Sequence, residues 1–153
     1  MALDEEQSSA AQEMRRAIDC LRDCADLAEV DPATLEALAT GAVHFSLPAG
    51  SVLFESGTTP DGVYLLASGR LGVKTPGNTR LTAEIERSEL VGEAGWLLKV
   101  ERSATVFALR DSELLLVPVS VLDAVAAQST DFSLALAPLR PAAATQQSAR
   151  AGA

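Results

Sequence analysis

The chain has 153 residues, 48% of them hydrophobic, and a formal charge of −9. That length and apolar content fit one domain with a substantial core and exclude a disordered chain. The acid excess argues against a surface that wraps nucleic acid, which works by neutralising backbone phosphates, and no apolar run approaches the ~20 residues of a membrane span.

The acidic residues concentrate between Asp4 and Glu36, opposed only by Arg15, Arg16 and Arg22. A solvated helix face accounts for them. The N-terminus lacks a basic stretch before an apolar core, so it does not read as a secretory signal. Cys20 and Cys24 are the only cysteines and His44 the only histidine, too few to complete a metal site. At spacing i, i+4 the two thiols are expected on one helix face, buried and reduced. These features describe a soluble cytoplasmic domain with no membrane contact and no nucleic-acid partner.

In chain order, residues 1–8 read as a polar, mobile lead. Ser9 with Gln12 fits a capping box that opens a helix, and Met14, Ile18, Leu21 and Ala25 follow helical spacing. Asp31-Pro32 is a second start signal, an N-cap residue with Pro at the first helical position. Leu35 and Leu38 give that helix its apolar side, and Gly41 ends it. The texture then changes to strand period: Val43, Phe45 and Leu47 alternate with His44 and Ser46, which places His44 on the solvent side. Strands are expected over 51–54, 63–67, 71–74 and 81–85, separated by Pro48-Ala49-Gly50, a long loop over 55–62, Ser68-Gly69-Arg70 and Pro76-Gly77-Asn78. Two more, over 104–109 and 113–117, flank an Arg110-Asp111-Ser112 turn. Many short strands with regular turn signals indicate a mainly β, antiparallel sandwich or barrel. Pro118 closes that phase, Ser120 is a candidate cap for a helix through Val121, Leu122, Val125 and Ala126, and a further helical piece spans 132–137. The chain thus divides into an N-terminal helical segment (1–41), a β domain (42–118), C-terminal helices (119–137) and an Ala-, Gln- and Ser-rich tail or linker (138–153).

The stretch from Gly92 to Thr105 carries the chemistry. A glycine precedes a carboxylate at a helix start, where free N–H groups favour an anion. Arg102 can fork two hydrogen bonds onto a phosphate. Glu93 repels a phosphate and so needs a donor, such as a sugar hydroxyl. A ligand that offers both is a nucleotide. The hydroxyls of Ser103 and Thr105 lack a Gly-x-Ser-x-Gly elbow and a nearby histidine, so no enzymatic role is expected.

Two blocks then resemble a known family. The first is the scaffold pattern Pro48-Ala49-Gly50-Ser51-Val52-Leu53-Phe54-Glu55-Ser56-Gly57, followed by Val63-Tyr64-Leu65-Leu66-Ala67-Ser68-Gly69-Arg70-Leu71-Gly72-Val73. The second is Gly92-Glu93, followed after eight residues by Arg102-Ser103-Ala104-Thr105. Over roughly residues 20–137 the chain resembles the cyclic nucleotide-binding domain of the catabolite activator and of protein kinase A regulatory subunits. The resemblance implies an eight-stranded, jelly-roll-like β-roll flanked by helices. It implies that Glu93 accepts from the ribose 2′-hydroxyl and that Arg102 pairs with the cyclic phosphate. The remaining contacts would come from Gly92, which lets the backbone approach the sugar, from Ala94 and the cassette turn, from the N–H groups of Ser103 and Ala104, and from the Thr105 hydroxyl. The implied ligand is cyclic AMP in preference to cyclic GMP, with no metal or other cofactor. The further partners it implies are an attached effector domain, a protein partner or a second copy of the chain.

The sequence departs from the family pattern at Ser88, where Gly is usual, at Trp96, where Leu is usual, and at Val100-Glu101, which puts an acid beside Arg102. Trp96, Leu97 and Leu98 are expected to contact the flanking helices rather than the ligand. Arg102 is expected to be removable with little loss of fold stability. The competing readings are a nucleotide-free interaction domain of the same fold, or a fragment that regulates an attached enzyme or transporter.

Overall fold

A computed structural model describes residues 2–129 and Phe132, with side chains from Ser9 onward. The tail over 138–153 and, apart from Phe132, the second C-terminal helical piece lie outside the described residues. Two four-stranded antiparallel sheets face each other, one in the order β1-β8-β3-β6 and the other β2-β7-β4-β5. The strands are β1 (Val43–Leu47), β2 (Val52–Phe54), β3 (Gly62–Ser68), β4 (Leu71–Lys74), β5 (Ala83–Ile85), β6 (Leu90–Val91), β7 (Thr105–Ala108) and β8 (Ser112–Pro118). Helices α1 (Ala2–Asp23), α2 (Pro32–Gly41) and α4 (Val119–Gln128) flank the roll, and α3 (Glu93–Leu98) is inserted between β6 and β7.

The strands at the middle of the first sheet explain why a simple alternation fails there. Val63 and Leu65 of β3, with Leu115 and Val117 of β8, pack on the helices. Their neighbours Tyr64, Leu66 and Leu114 pack into the space between the sheets. A strand buried on both faces reads as a continuous apolar run. The helical core gathers Leu21, Leu27, Leu35, Leu38, Leu122 and Phe132 over the first sheet. The inter-sheet core is closed by Leu71, Val73, Ile85 and Val106.

Four local expectations change. The helix does not start at Ser9: α1 runs from Ala2 through it without a break, because the preceding Ala, Leu, Glu and Gln residues are themselves good helix formers. α1 stops at Asp23, so Cys24 lies beyond it and does not share its face with Cys20. Both thiols are free, Cys24 buried and Cys20 half-buried, and burial pushes the Cys24 thiol up to about 12. Ser120 is not a cap: α4 starts from Pro118, and the Val119 N–H donates to the Asp61 carbonyl at 3.1 Å. The short strand β6 escapes the sequence because two residues carry no period.

Other local signals hold. Asp31 caps α2, its carboxylate accepting from the Thr34 N–H at 3.2 Å and from the Thr34 hydroxyl at 2.6 Å. His44 is exposed on β1 and lies 3.2 Å from Glu113 across the β1–β8 ladder. Ser88 has φ 71°, a left-handed conformation that glycine adopts more readily. Among the described residues no helix is long and apolar enough to cross a membrane.

Candidate functional site

β6 delivers the chain directly to Gly92, whose φ of 85° turns it into α3. A β-carbon at Gly92 would lie 2.2 Å from Arg102 Nη1. Glycine is therefore required twice, for the left-handed backbone and for the guanidinium packed against it. The Arg102 side chain is one reason for glycine here that the sequence does not show.

Arg102 is 2% exposed. Its Nη1 donates to the Gly92 carbonyl at 2.9 Å, and its Nη2 donates to the Gly62 carbonyl at 2.8 Å and to Asp61 Oδ1 at 3.2 Å. The guanidinium carbon lies over the Phe54 ring, 4.1 Å from its centre, a cation–π contact. The acid partner is thus Asp61, not the adjacent Glu101, which is exposed. Asp61 also accepts from the Tyr64 hydroxyl at 2.7 Å. Tyr64 is buried, and its phenol pKa is raised first by desolvation and then by that bond. Desolvation lowers the Arg102 pKa while the Asp61 charge opposes it. Removing Arg102 would take a donor from the Gly92 and Gly62 carbonyls and one of two from Asp61, which keeps the Tyr64 hydroxyl. The expectation that it can be removed at little cost to the fold does not survive this geometry.

Glu93 opens α3 and is 4% exposed. Its Oε2 has no hydrogen-bond partner. Burial, reinforced by the charge of Asp26 in the 3-10 turn after α1, pushes its carboxyl from the ordinary 4.5 up to about 7, against its own N–H and Arg102, which favour ionisation. Arg102 Nε is likewise buried without a partner. The cassette thus holds one buried acceptor and one buried donor without a partner, and such groups in a folded protein call for an explanation.

The remaining cassette residues divide. Ala94 is half-buried in the first turn of α3, Ser103 is exposed and Ala104 is fully buried. The Thr105 hydroxyl oxygen accepts from the Ser56 N–H at 3.1 Å. With the Gly57 N–H to the Arg102 carbonyl at 2.7 Å and the Arg102 N–H to the Thr58 carbonyl at 2.8 Å, it fastens the β2–β3 loop along the cassette. That hydroxyl oxygen serves the scaffold. Asp61 was not among the residues singled out from the sequence. Its place at the end of the long 55–62 loop, just before a strand, was the signal available.

Trp96 is 5% exposed and faces the helices, its Nε1 donating to Asp123 Oδ1 of α4 at 2.9 Å. Its ring lies 5.9 Å from that of Phe132. Leu97 packs at the edge of the helical core, whereas Leu98 is 57% exposed.

The family model described as the cyclic nucleotide-binding domain matches residues 44–129. A lysophospholipase, NTE1, of Cryptococcus neoformans is 37% identical over 81 residues, 52% of this chain and 5% of that protein. An uncharacterized NTE family protein of Mycobacterium tuberculosis is 36% identical over 91 residues, 60% of this chain and 15% of that protein. The chain therefore matches only a small part of either relative. Among solved structures, the regulatory domain of Toxoplasma gondii PKA with cAMP aligns with a TM-score of 0.74 at 14% identity, covering 83% of this chain and 49% of that one. The sensor domain of the transcriptional regulator DNR from Pseudomonas aeruginosa aligns at 0.72 and 20% identity, covering 90% and 92%. These two share the fold. The roll, the inserted α3 and the family model together place the chain: it belongs to the cyclic nucleotide-binding domain family, whose members are non-catalytic regulatory modules.

Proposed function

We propose that the chain is a sensor for cyclic AMP, with cyclic GMP the weaker ligand, and that it passes occupancy to its flanking helices. The observation that carries this reading is the pair of unpaired buried groups on one cassette, Glu93 Oε2 and Arg102 Nε. In this reading Glu93 accepts from the ribose hydroxyl. Arg102 and the N–H groups at Ser103 and Ala104 hold the phosphate, with Gly92 and Ala94 forming the turn beside the sugar. Thr105 contributes by holding the loop that borders the site. The ligand shifts the population of cassette positions, and it can do so only by binding one position more tightly than the other. Trp96 and Leu97 carry the movement to the helices. Any attached effector, whether a hydrolase like the NTE relatives or another output, lies on the far side of that movement.

A second reading has its own support. Arg102 already donates to three protein oxygens, as it would if it served only as a structural crosslink in a nucleotide-free interaction domain. Titration calorimetry with cyclic AMP and cyclic GMP separates the two. A bound ligand at 100 times its dissociation constant stabilises the fold by about 2.7 kcal/mol. Absence of both binding heat and a thermal shift with either nucleotide refutes the sensor and leaves the crosslink.

A further inference from the structure

α4 is fastened at two points in its first turns, once to the loop before β3 and once to α3. At its start the Val119 N–H donates to the Asp61 carbonyl, and the Asp61 side chain holds Arg102. About one turn on, Asp123 accepts from Trp96 Nε1 at 2.9 Å and lies 3.4 Å from Lys99 Nζ. Lys99 is the residue that ends α3, in a left-handed conformation with φ 55°. Its ammonium also sits 5.4 Å from the Trp96 ring centre. A single carboxylate oxygen thus receives donors from the middle and from the end of α3, the helix whose first residue is Glu93. The bond from Trp96 and the Lys99 charge both lower the Asp123 pKa, so the carboxylate is ionised across the physiological range.

We propose that Asp123 is a positioning residue that sets nucleotide affinity from outside the site, by fixing α3, and with it Glu93, relative to α4. This rests on the cyclic nucleotide reading above. The Trp96 indole is buried, and Asp123 is its hydrogen-bond acceptor. A buried indole N–H left unpaired is costly, so α3 cannot move freely from α4 while that bond stands. Asp123 itself is more than half exposed and fills no core space. Its loss therefore frees the joint without opening a cavity.

The test is calorimetric titration of the full chain with cyclic AMP, in the wild type and in Asp123→Ala and Asp123→Asn. The Ala variant is expected to change the dissociation constant about fivefold or more, and the Asn variant, which still accepts from the indole, to stay within about twofold of wild type. A merely structural role would lower the melting temperature of the Ala variant and leave its affinity within that same twofold; this result overturns the proposal. An Asn variant as altered as Ala overturns the assignment to the Trp96 bond. Failure of the wild type to bind either cyclic nucleotide is a different outcome: it refutes the sensor reading itself, and the positioning role falls with it.

Discussion

Glu93→Gln isolates the cost of burying an acid that the fold does not pair. The folded state holds this carboxyl at about 7 against an ordinary 4.5. The unfolded chain releases the proton at the lower value. The folded protein therefore binds the extra proton between the two, and stability falls as pH rises through that window. Glu93 favours the fold fully below pH 4.5, and that contribution is lost by the time pH has passed about 7. At ~1.4 kcal/mol per pH unit, the loss amounts to about 3 kcal/mol. Gln keeps the size and polarity but does not titrate. Denaturant melts of the ligand-free wild type and variant from pH 4.5 to 8.5 read the difference, with all other titrating groups common to both. The wild type should lose about 3 kcal/mol relative to the variant, which for a domain of this size is about 6–12 °C in melting temperature. A stability difference that is flat across the range would refute the reasoning, because it would mean that the carboxylate is solvated in the folded state.

The same ionisation bears on the ligand: cyclic AMP affinity should rise between pH 6 and pH 8 in the wild type as Glu93 becomes a full acceptor, and calorimetry of Glu93→Gln should show weaker, pH-independent binding. Arg102→Ala should destabilise the ligand-free domain by about 3 kcal/mol in urea melts, since it takes a donor from the Gly62 and Gly92 carbonyls, while Asp61 is exposed and keeps the Tyr64 hydroxyl; an unchanged midpoint would refute the crosslinking role. Gly92→Ala should cost about 2 kcal/mol, from the left-handed backbone and the displaced guanidinium, and should weaken nucleotide binding together with stability; crystallography of the variant would show Arg102 turned away from Asp61.

The local elements were legible where the signal is itself local. Asp31-Pro32 opens α2 because the cap and the proline act within one turn. The alternation from Val43 to Leu47 marks β1 because one side of that strand stays exposed. Ser9-Gln12 misled, since a capping box is a signal only where the preceding residues resist a helix, and Ala2 onward do not. β6 was illegible because its two residues acquire meaning only from β3, with Val91 opposite Tyr64 and Leu90 opposite Leu65.

For the candidate site, the spacing of Gly92, Glu93 and Arg102 along the chain was enough to propose a turn, an acceptor and a phosphate partner. These roles follow from residue chemistry over a short stretch. The partners of those residues were not available in the same way. Arg102 meets Asp61 across 41 positions of sequence, Glu93 feels the charge of Asp26 from a distant part of the chain, and Trp96 finds Asp123 on a helix 27 positions on. Residue type and spacing determine which chemistry a segment can offer. The register of the two sheets and the docking of the helices decide which groups are desolvated and which are paired, since those depend on distances in space. Here that difference makes Arg102 part of the scaffold as well as of the candidate site, and makes Glu93 an acid whose charge depends on pH near neutrality.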